Sequence, residues 1–269
     1  MNISFIGGGN MATALIGGML SEGFTTQQIS VVEISAENRA RLKKDFSIHV
    51  FTEISAGIAD SQIIVLAVKP QQFRKISREL APLIRGHLLI TIAAGIRATD
   101  LARWCKTNAI VRVMPNTPAL IRSGMSGLYA LPSVSEEQRD QAQKILAAVG
   151  ETIWLQEEEM LDAVTAISGS GPAYVFYMIE ALQRAALEMG FNAEESRRLA
   201  QSTFLGASKL AVASDEDVSV LRSRVTSKNG TTERALLSLD NNMVATYIAE
   251  AAQAAQARSR EMGEELSKE

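Results

Sequence analysis

Gly7, Gly9 and Ala12 are spaced as G-x-G-x-x-A directly behind the run Ile3-Ser4-Phe5-Ile6. In that setting the first glycine makes a tight turn and the second lets backbone approach a pyrophosphate. The alanine lets helix and strand pack closely. Asn10 and Met11 open the helix, whose free N–H groups and positive dipole end would hold phosphates. A flexible turn is the bland alternative, but strand, turn and helix come here in the required order. Glu33 ends the next strand-like run, where a carboxylate would hydrogen-bond the adenosine ribose and favour NADH. Ser35, Asn38 and Arg39 follow closely, and with Glu33 rotated away they could accept a 2′-phosphate. These residues leave both NADPH and NADH open.

Three further segments could do chemistry. Ala67-Val68-Lys69-Pro70 closes an apolar run, and ligands of open α/β sheets bind at the carboxyl ends of strands. Pro70 stops that strand and leaves Lys69 at the crevice, either solvated or touching cofactor. Ala93, Ala94 and Gly95 end another run where a nicotinamide ring needs room, and Asn116 sits beside it in a loop stiffened by Pro115 and Pro118. A stiff loop can be merely structural, but its place over the crevice favours a site role, with Asn116 binding substrate. Finally, Ser227, Asn229, Gly230, Thr231 and Thr232 lead straight into a helical pattern. Free N–H groups and hydroxyls at a helix start suit a carboxylate; plain capping by Thr231 or Thr232 is the alternative.

The elements that would position these residues fall into two halves. Apolar runs at 3–6, 29–32, 63–67, 88–92 and 110–114 alternate with helical patterns such as 11–20, 37–46 and 72–84. That rhythm predicts a Rossmann-type, doubly wound, mostly parallel sheet. Strand-like pieces at 127–130 and 152–155 bracket a helix at 136–149 and finish the sheet. Beyond the acidic stretch Gln156-Glu157-Glu158-Glu159 the pattern is helical throughout, at 159–167, 173–189, 194–212, 218–224, 233–239 and 244–266. The expected domains are therefore 1–156, binding dinucleotide, and 157–269, all-helical. Residues 174–186 are apolar around much of the helix and 245–257 are crowded with alanine. Alanine chosen for helix propensity in an ordinary core is the alternative, but helices that must bury more than one face predict an intertwined homodimer.

Composition bounds the rest. The 269 residues are 46% hydrophobic and 21% charged, with a net charge of −3, giving no reason to expect nucleic acid. No run is long and apolar enough for a membrane span, and a cytoplasmic address is expected. Cys105 is the sole cysteine, so there is no intrachain disulfide or thiolate cluster. His49 and His87 lack partners at ligand spacing, so no metal is expected.

Taken together, FIGGGNMA, AVKP, IAAG, MPNTPAL, SGSGPAYVFYMIEAL at 168–182 and SKNGTTERAL resemble the Δ1-pyrroline-5-carboxylate reductase family over essentially the whole chain. The resemblance implies an NADPH- or NADH-dependent reduction of a small cyclic imine to proline. It also implies a helical domain that interlocks in dimers, with a decamer of dimers as a larger form. Ser227, Gly230 and Thr231 would hold the substrate carboxylate, and Thr232 would act on the ring nitrogen. The family usually reads SPGGTT where this chain has Ser227-Lys228-Asn229-Gly230-Thr231-Thr232, which loosens the loop and adds a positive charge. A β-hydroxyacid dehydrogenase would carry a lysine where Val175 stands. A nucleotide-sensing protein without turnover is the non-catalytic alternative.

Overall fold

Short β-branched runs without a polar face need cover on both sides. The computed structural model, which describes residues 1–268, supplies that cover. Its strands are β1 (Ile3–Ile6), β2 (Ile29–Val32), β3 (His49–Phe51), β4 (Ile63–Leu66), β5 (Leu88–Thr91), β6 (Ile110–Met114), β7 (Gly124–Ala130) and β8 (Gly150–Trp154). They form one sheet in the order β3-β2-β1-β4-β5-β6-β7-β8. Every pairing is parallel except β6 with β7. Strand order reverses between β1 and β4, which opens a crevice beyond their carboxyl ends.

Helices α1 (Asn10–Ser21), α2 (Ala36–Phe46), α3 (Ile54–Ile58), α4 (Phe73–Leu80), α5 (Ala98–Cys105), α6 (Glu136–Ala147) and α7 (Met160–Val164) accompany the sheet. Alternating side chains feed two cores. Phe5, Val31 and Val65 pack with Leu15, Ile16 and Met19 on one face. Ile6, Ile64 and Leu66 pack with Phe73, Leu80 and Leu101 on the other.

Several elements differ from the sequence reading. β3 has no counterpart among the apolar runs, because it is a short edge strand that begins at the exposed His49. The short α3 and α5 are likewise unheralded. β7 begins at Gly124 rather than residue 127, since glycines dilute its pattern. A Cβ on Gly127 would lie 2.9 Å from the Val164 side chain, so the helix packs there only over a bare backbone.

The compact units divide at a different place from the 156/157 boundary. Met1–Ser170 pack together with the residues from Ala255 onward, and Gly171–Ala254 form a second unit. Strand chemistry ends near residue 156, but packing does not. α7 runs into a π-helical turn, Thr165–Gly169, that stays with the sheet unit. The last part of the long C-terminal helix, which spans Val244–Lys268, is pinned there too. Ser259 Oγ donates to Asp162 Oδ1 at 2.6 Å, and the Ser267 hydroxyl donates to the Asp100 carboxylate.

The second unit contains α8 (Gly171–Glu188), α9 (Ala193–Val212), α10 (Val218–Arg224), α11 (Thr231–Asn241) and the start of the C-terminal helix α12. α8 and α9 form a tight pair, with Asn192 capping α9 through a capping box with Glu195. Among this unit's residues only Ser196 and Ala200 are buried.

One buried ion pair ties the sheet to the segment that follows it. Arg112 of β6 donates to Glu158 Oε1 at 2.8 Å, and the same oxygen accepts the Ala98 N–H at 2.7 Å. Removing one partner of a buried pair leaves the other charge uncompensated. Glu158→Ala is therefore expected to destabilise the protein by roughly 3 kcal/mol in urea unfolding. A loss under about 0.5 kcal/mol would place the pair with solvent-screened surface bridges instead.

Candidate functional site

The sheet unit presents a ready phosphate cradle. Gly7 takes φ +100°, a left-handed conformation glycine adopts freely, and its N–H donates to Val32 O at 2.9 Å. A Cβ there would lie 2.6 Å from Ala67 O. Gly9 precedes α1 without any side-chain cap, and nothing lies within 4 Å of where its Cβ would stand. The first N–H groups of α1, from Asn10 and Met11, thus face open space that fits a pyrophosphate. Ala12 is fully buried beneath the turn, as the close helix–strand approach requires.

The Glu33 carboxylate turns inward. One oxygen accepts the Gly8 N–H at 2.9 Å and the other accepts the Ser35 N–H at 2.8 Å. Glu33 thereby braces the glycine turn. Arg39 Nη1 donates to the carbonyls of Glu33 and Ile34, both at 2.8 Å, while Ser35 caps α2 through Asn38 N–H. Arg41, missed from sequence, donates to Gly8 O at 3.2 Å and Thr13 Oγ1 at 3.3 Å. No spacing rule marks it, because its partners lie across the fold. The exposed Ile34 lines the same cleft of about 310 Å³, as do Gly7, Glu33, Ala67, Val68 and Lys69. Pro70 begins a short 3₁₀ turn beyond the exposed Lys69, whose backbone N–H donates to Gln72 Oε1 at 3.3 Å.

Two positions read from sequence as site residues are engaged elsewhere. Gly95 was expected to leave room for nicotinamide, and the side on which a side chain would stand is taken by Leu266. A Cβ there would lie 2.8 Å from Leu266 Cδ1, so its smallness serves the packing of the C-terminal helix. Ala93 is buried and Ala94 half-buried beside it. Asn116 was expected to bind substrate, but its side-chain amide is spent on the fold. Nδ2 donates to Ser168 O at 3.2 Å and Ser168 Oγ at 3.1 Å, while Oδ1 accepts the Met125 N–H at 2.9 Å. Asn116 therefore latches its loop to the π-helical turn and to β7. His87 is also occupied: Nδ1 accepts the Arg85 N–H at 2.9 Å, and burial, then the Arg85 charge, lowers its pKa.

The helical unit carries the second cluster. Asn229 takes φ +59°, and its N–H donates to Glu233 Oε2 at 2.7 Å. Gly230 donates its N–H to Ser227 O at 3.0 Å, and a Cβ on it would run into Ser227 Oγ. α11 then begins at Thr231 with no side-chain cap. Among the described residues, no hydrogen bond engages the Thr231 or Thr232 hydroxyl, or the N–H groups of Thr231, Thr232 and Glu233. The capping alternative therefore lacks its hydrogen bond. A cavity of about 760 Å³ opens here, lined by Asn229, Gly230, Thr231, Glu233 and Arg234 among others. Such a helix start can bind an anion and offer a hydroxyl beside it.

Comparison with known proteins gives these two clusters a common context. The family "Pyrroline-5-carboxylate reductase dimerisation" matches residues 158–262, and "NADP oxidoreductase coenzyme F420-dependent" matches residues 2–95. A pyrroline-5-carboxylate reductase of Pseudomonas aeruginosa is 44% identical, over 98% of this chain and 97% of that protein. One from Haemophilus influenzae is 43% identical, over 97% of each. Among solved structures, a pyrroline-5-carboxylate reductase from Coxiella burnetii superposes with a TM-score of 0.93 at 36% identity, covering 97% of this chain and 98% of that one. A Plasmodium falciparum pyrroline carboxylate reductase with NADP bound gives 0.85 at 28% identity, covering 98% of each.

The inward-facing Glu33 sets a test. Glu33→Ala is expected to weaken NADH and NADPH alike, by roughly tenfold each in fluorescence titration, because the Gly8 brace is lost. A loss confined to NADH would instead put the carboxylate on the adenosine ribose.

Proposed function

The chain belongs to the pyrroline-5-carboxylate reductase family of NAD(P)H-dependent oxidoreductases, and we propose how its residues divide the reduction of Δ1-pyrroline-5-carboxylate to proline. The observation that carries this reading is the uncapped start of α11, with free N–H groups and unengaged threonine hydroxyls. When bound, NAD(P)H supplies a hydride to the imine carbon. The glycine turn, Asn10 and Met11 hold its pyrophosphate, with Ser35, Arg39, Ala67, Val68, Lys69, Pro70, Ala93 and Ala94 around the rest of the dinucleotide.

Ser227 and Thr231 hold the substrate carboxylate through hydroxyl and backbone donors, and Gly230, whose own N–H closes the turn on Ser227 O, keeps the loop bare of a side chain so that the carboxylate can approach. Thr232 hydrogen-bonds the ring nitrogen, which gains a proton as the carbon gains hydride. A threonine hydroxyl is a weak acid, so its part is to orient the imine and relay a proton from water. Most of the acceleration then comes from holding two reactants in register. Asn116 acts as a brace for the strand-end loop rather than as a ligand.

The dimerisation segment makes the protein a homo-oligomer. The assembly proposed is a homodimer, with a decamer of dimers as its larger form, acting in the cytoplasm. No described helix is long and apolar enough to cross a membrane. The helical substrate domain is taken to run from residue 157, and the matched segment at 158–262 supports that division.

The direct assay follows NAD(P)H absorbance when pyrroline-5-carboxylate is added; no decrease would remove the reading. Thr232→Ala is expected to lower kcat by roughly ten- to a thousandfold while leaving cofactor affinity nearly unchanged. Thr232→Ser, which keeps the hydroxyl, should recover much of the rate. Wild-type kcat in the alanine variant would take Thr232 out of the mechanism.

A further inference from the structure

Resting on the reading of the α11 start as the carboxylate-binding end of the site, we propose that Glu233 is a positioning residue. Through the Asn229 backbone it holds the loop that receives the substrate carboxylate. Left-handed φ is a conformation that L side chains adopt at a cost, with asparagine among the more tolerant. Asn229 sits there at φ +59°, a conformation that glycine would hold without support. Here the support comes from within α11: Glu233 reaches back and accepts the Asn229 N–H at 2.7 Å.

The consequence falls on the next residue. Gly230 must approach Ser227 so closely that no Cβ fits, and its N–H closes the turn on Ser227 O at 3.0 Å. If Asn229 leaves the left-handed well, that turn opens. The Ser227 hydroxyl and the Thr231 N–H and hydroxyl then no longer face one anion across Gly230. The Glu233 carboxylate also places a negative charge beside the anion it helps to admit. A brace made by a neutral acceptor would avoid that repulsion, so charge alone does not account for glutamate at this position. Its length does: the side chain spans from the third residue of α11 back to Asn229.

The test uses the full-length oligomer and two substrates, pyrroline-5-carboxylate and 1-pyrroline, which lacks the carboxylate. Glu233→Ala is expected to raise KM for pyrroline-5-carboxylate roughly five- to tenfold, with kcat reduced far less and the KM for NADPH moved by less than about twofold. The KM for 1-pyrroline should not rise in step. Glu233→Gln keeps an acceptor and should recover most of the loss. Asn229→Gly in the Glu233→Ala background should recover it as well, because glycine holds the conformation unaided. An alanine variant whose KM for pyrroline-5-carboxylate is unmoved would overturn the proposal. So would equal losses on both substrates, or a lowered melting temperature as the sole change, which mark a purely structural role. Failure of the asparagine-to-glycine rescue would overturn it too. A parent enzyme that turns over neither substrate would overturn the reading of the site itself, a result distinct from these.

Discussion

Residues 171–254 carry many large apolar side chains and bury almost none of them among themselves. Phe176 is 66% exposed, Tyr177 73% and Val212 88%, while only Ser196 and Ala200 are buried. Fully burying such a side chain is worth about 1.5–3 kcal/mol, so leaving the set in water forgoes more free energy than a typical domain's net stability. The unit reads as an interface before it reads as a domain, in keeping with the dimerisation family that matches residues 158–262. Alanine-rich helices serve it by letting backbones approach closely.

The sheet unit answers the opposite demand. Both faces of its sheet are covered by its own helices, and the polar groups around the glycine turn and the end of the sheet are paired, although the buried hydroxyls of Ser4 and Ser77 find no partner. Arg112, Glu158 and the Ala98 N–H satisfy one another, and Glu33 satisfies Gly8 and Ser35. Such closed networks hold a cradle at fixed geometry before any ligand arrives, which is how backbone N–H groups come to serve as a binding surface.

Much of this was legible in the sequence, because the signals were local. The glycine turn, the end of β4 and the start of α11 each announce themselves through residue types within a few positions. What escaped reading depends on distant partners. Arg41 finds Gly8 and Thr13 only once α2 is folded against α1. Gly95 looked like room for a ring, but Leu266, far along the chain, takes the side on which a side chain would stand. Asn116 stood in a loop of the right kind, but its amide is consumed by Met125 and Ser168. β3 was too short, and β7 too rich in glycine, to carry a period. The roles proposed for Ser227, Gly230, Thr231 and Thr232 rest on the family resemblance, since no periodicity bears on them.

The α11 loop shows how little covalent machinery such a site needs. Of the ionisable groups lining the start of α11, Arg234 stays a cation and the Glu233 carboxylate already accepts a backbone N–H. What remains is geometry: a turn that only Gly230 fits, a left-handed Asn229, and a helix whose first N–H groups are left without partners. Those features sit in the unit with almost no core of its own. Whatever covers its apolar helices stabilises the folded state by mass action, and the order of the loop is drawn into the same equilibrium. Oligomerisation thus supplies the cover that this unit's helices cannot give one another.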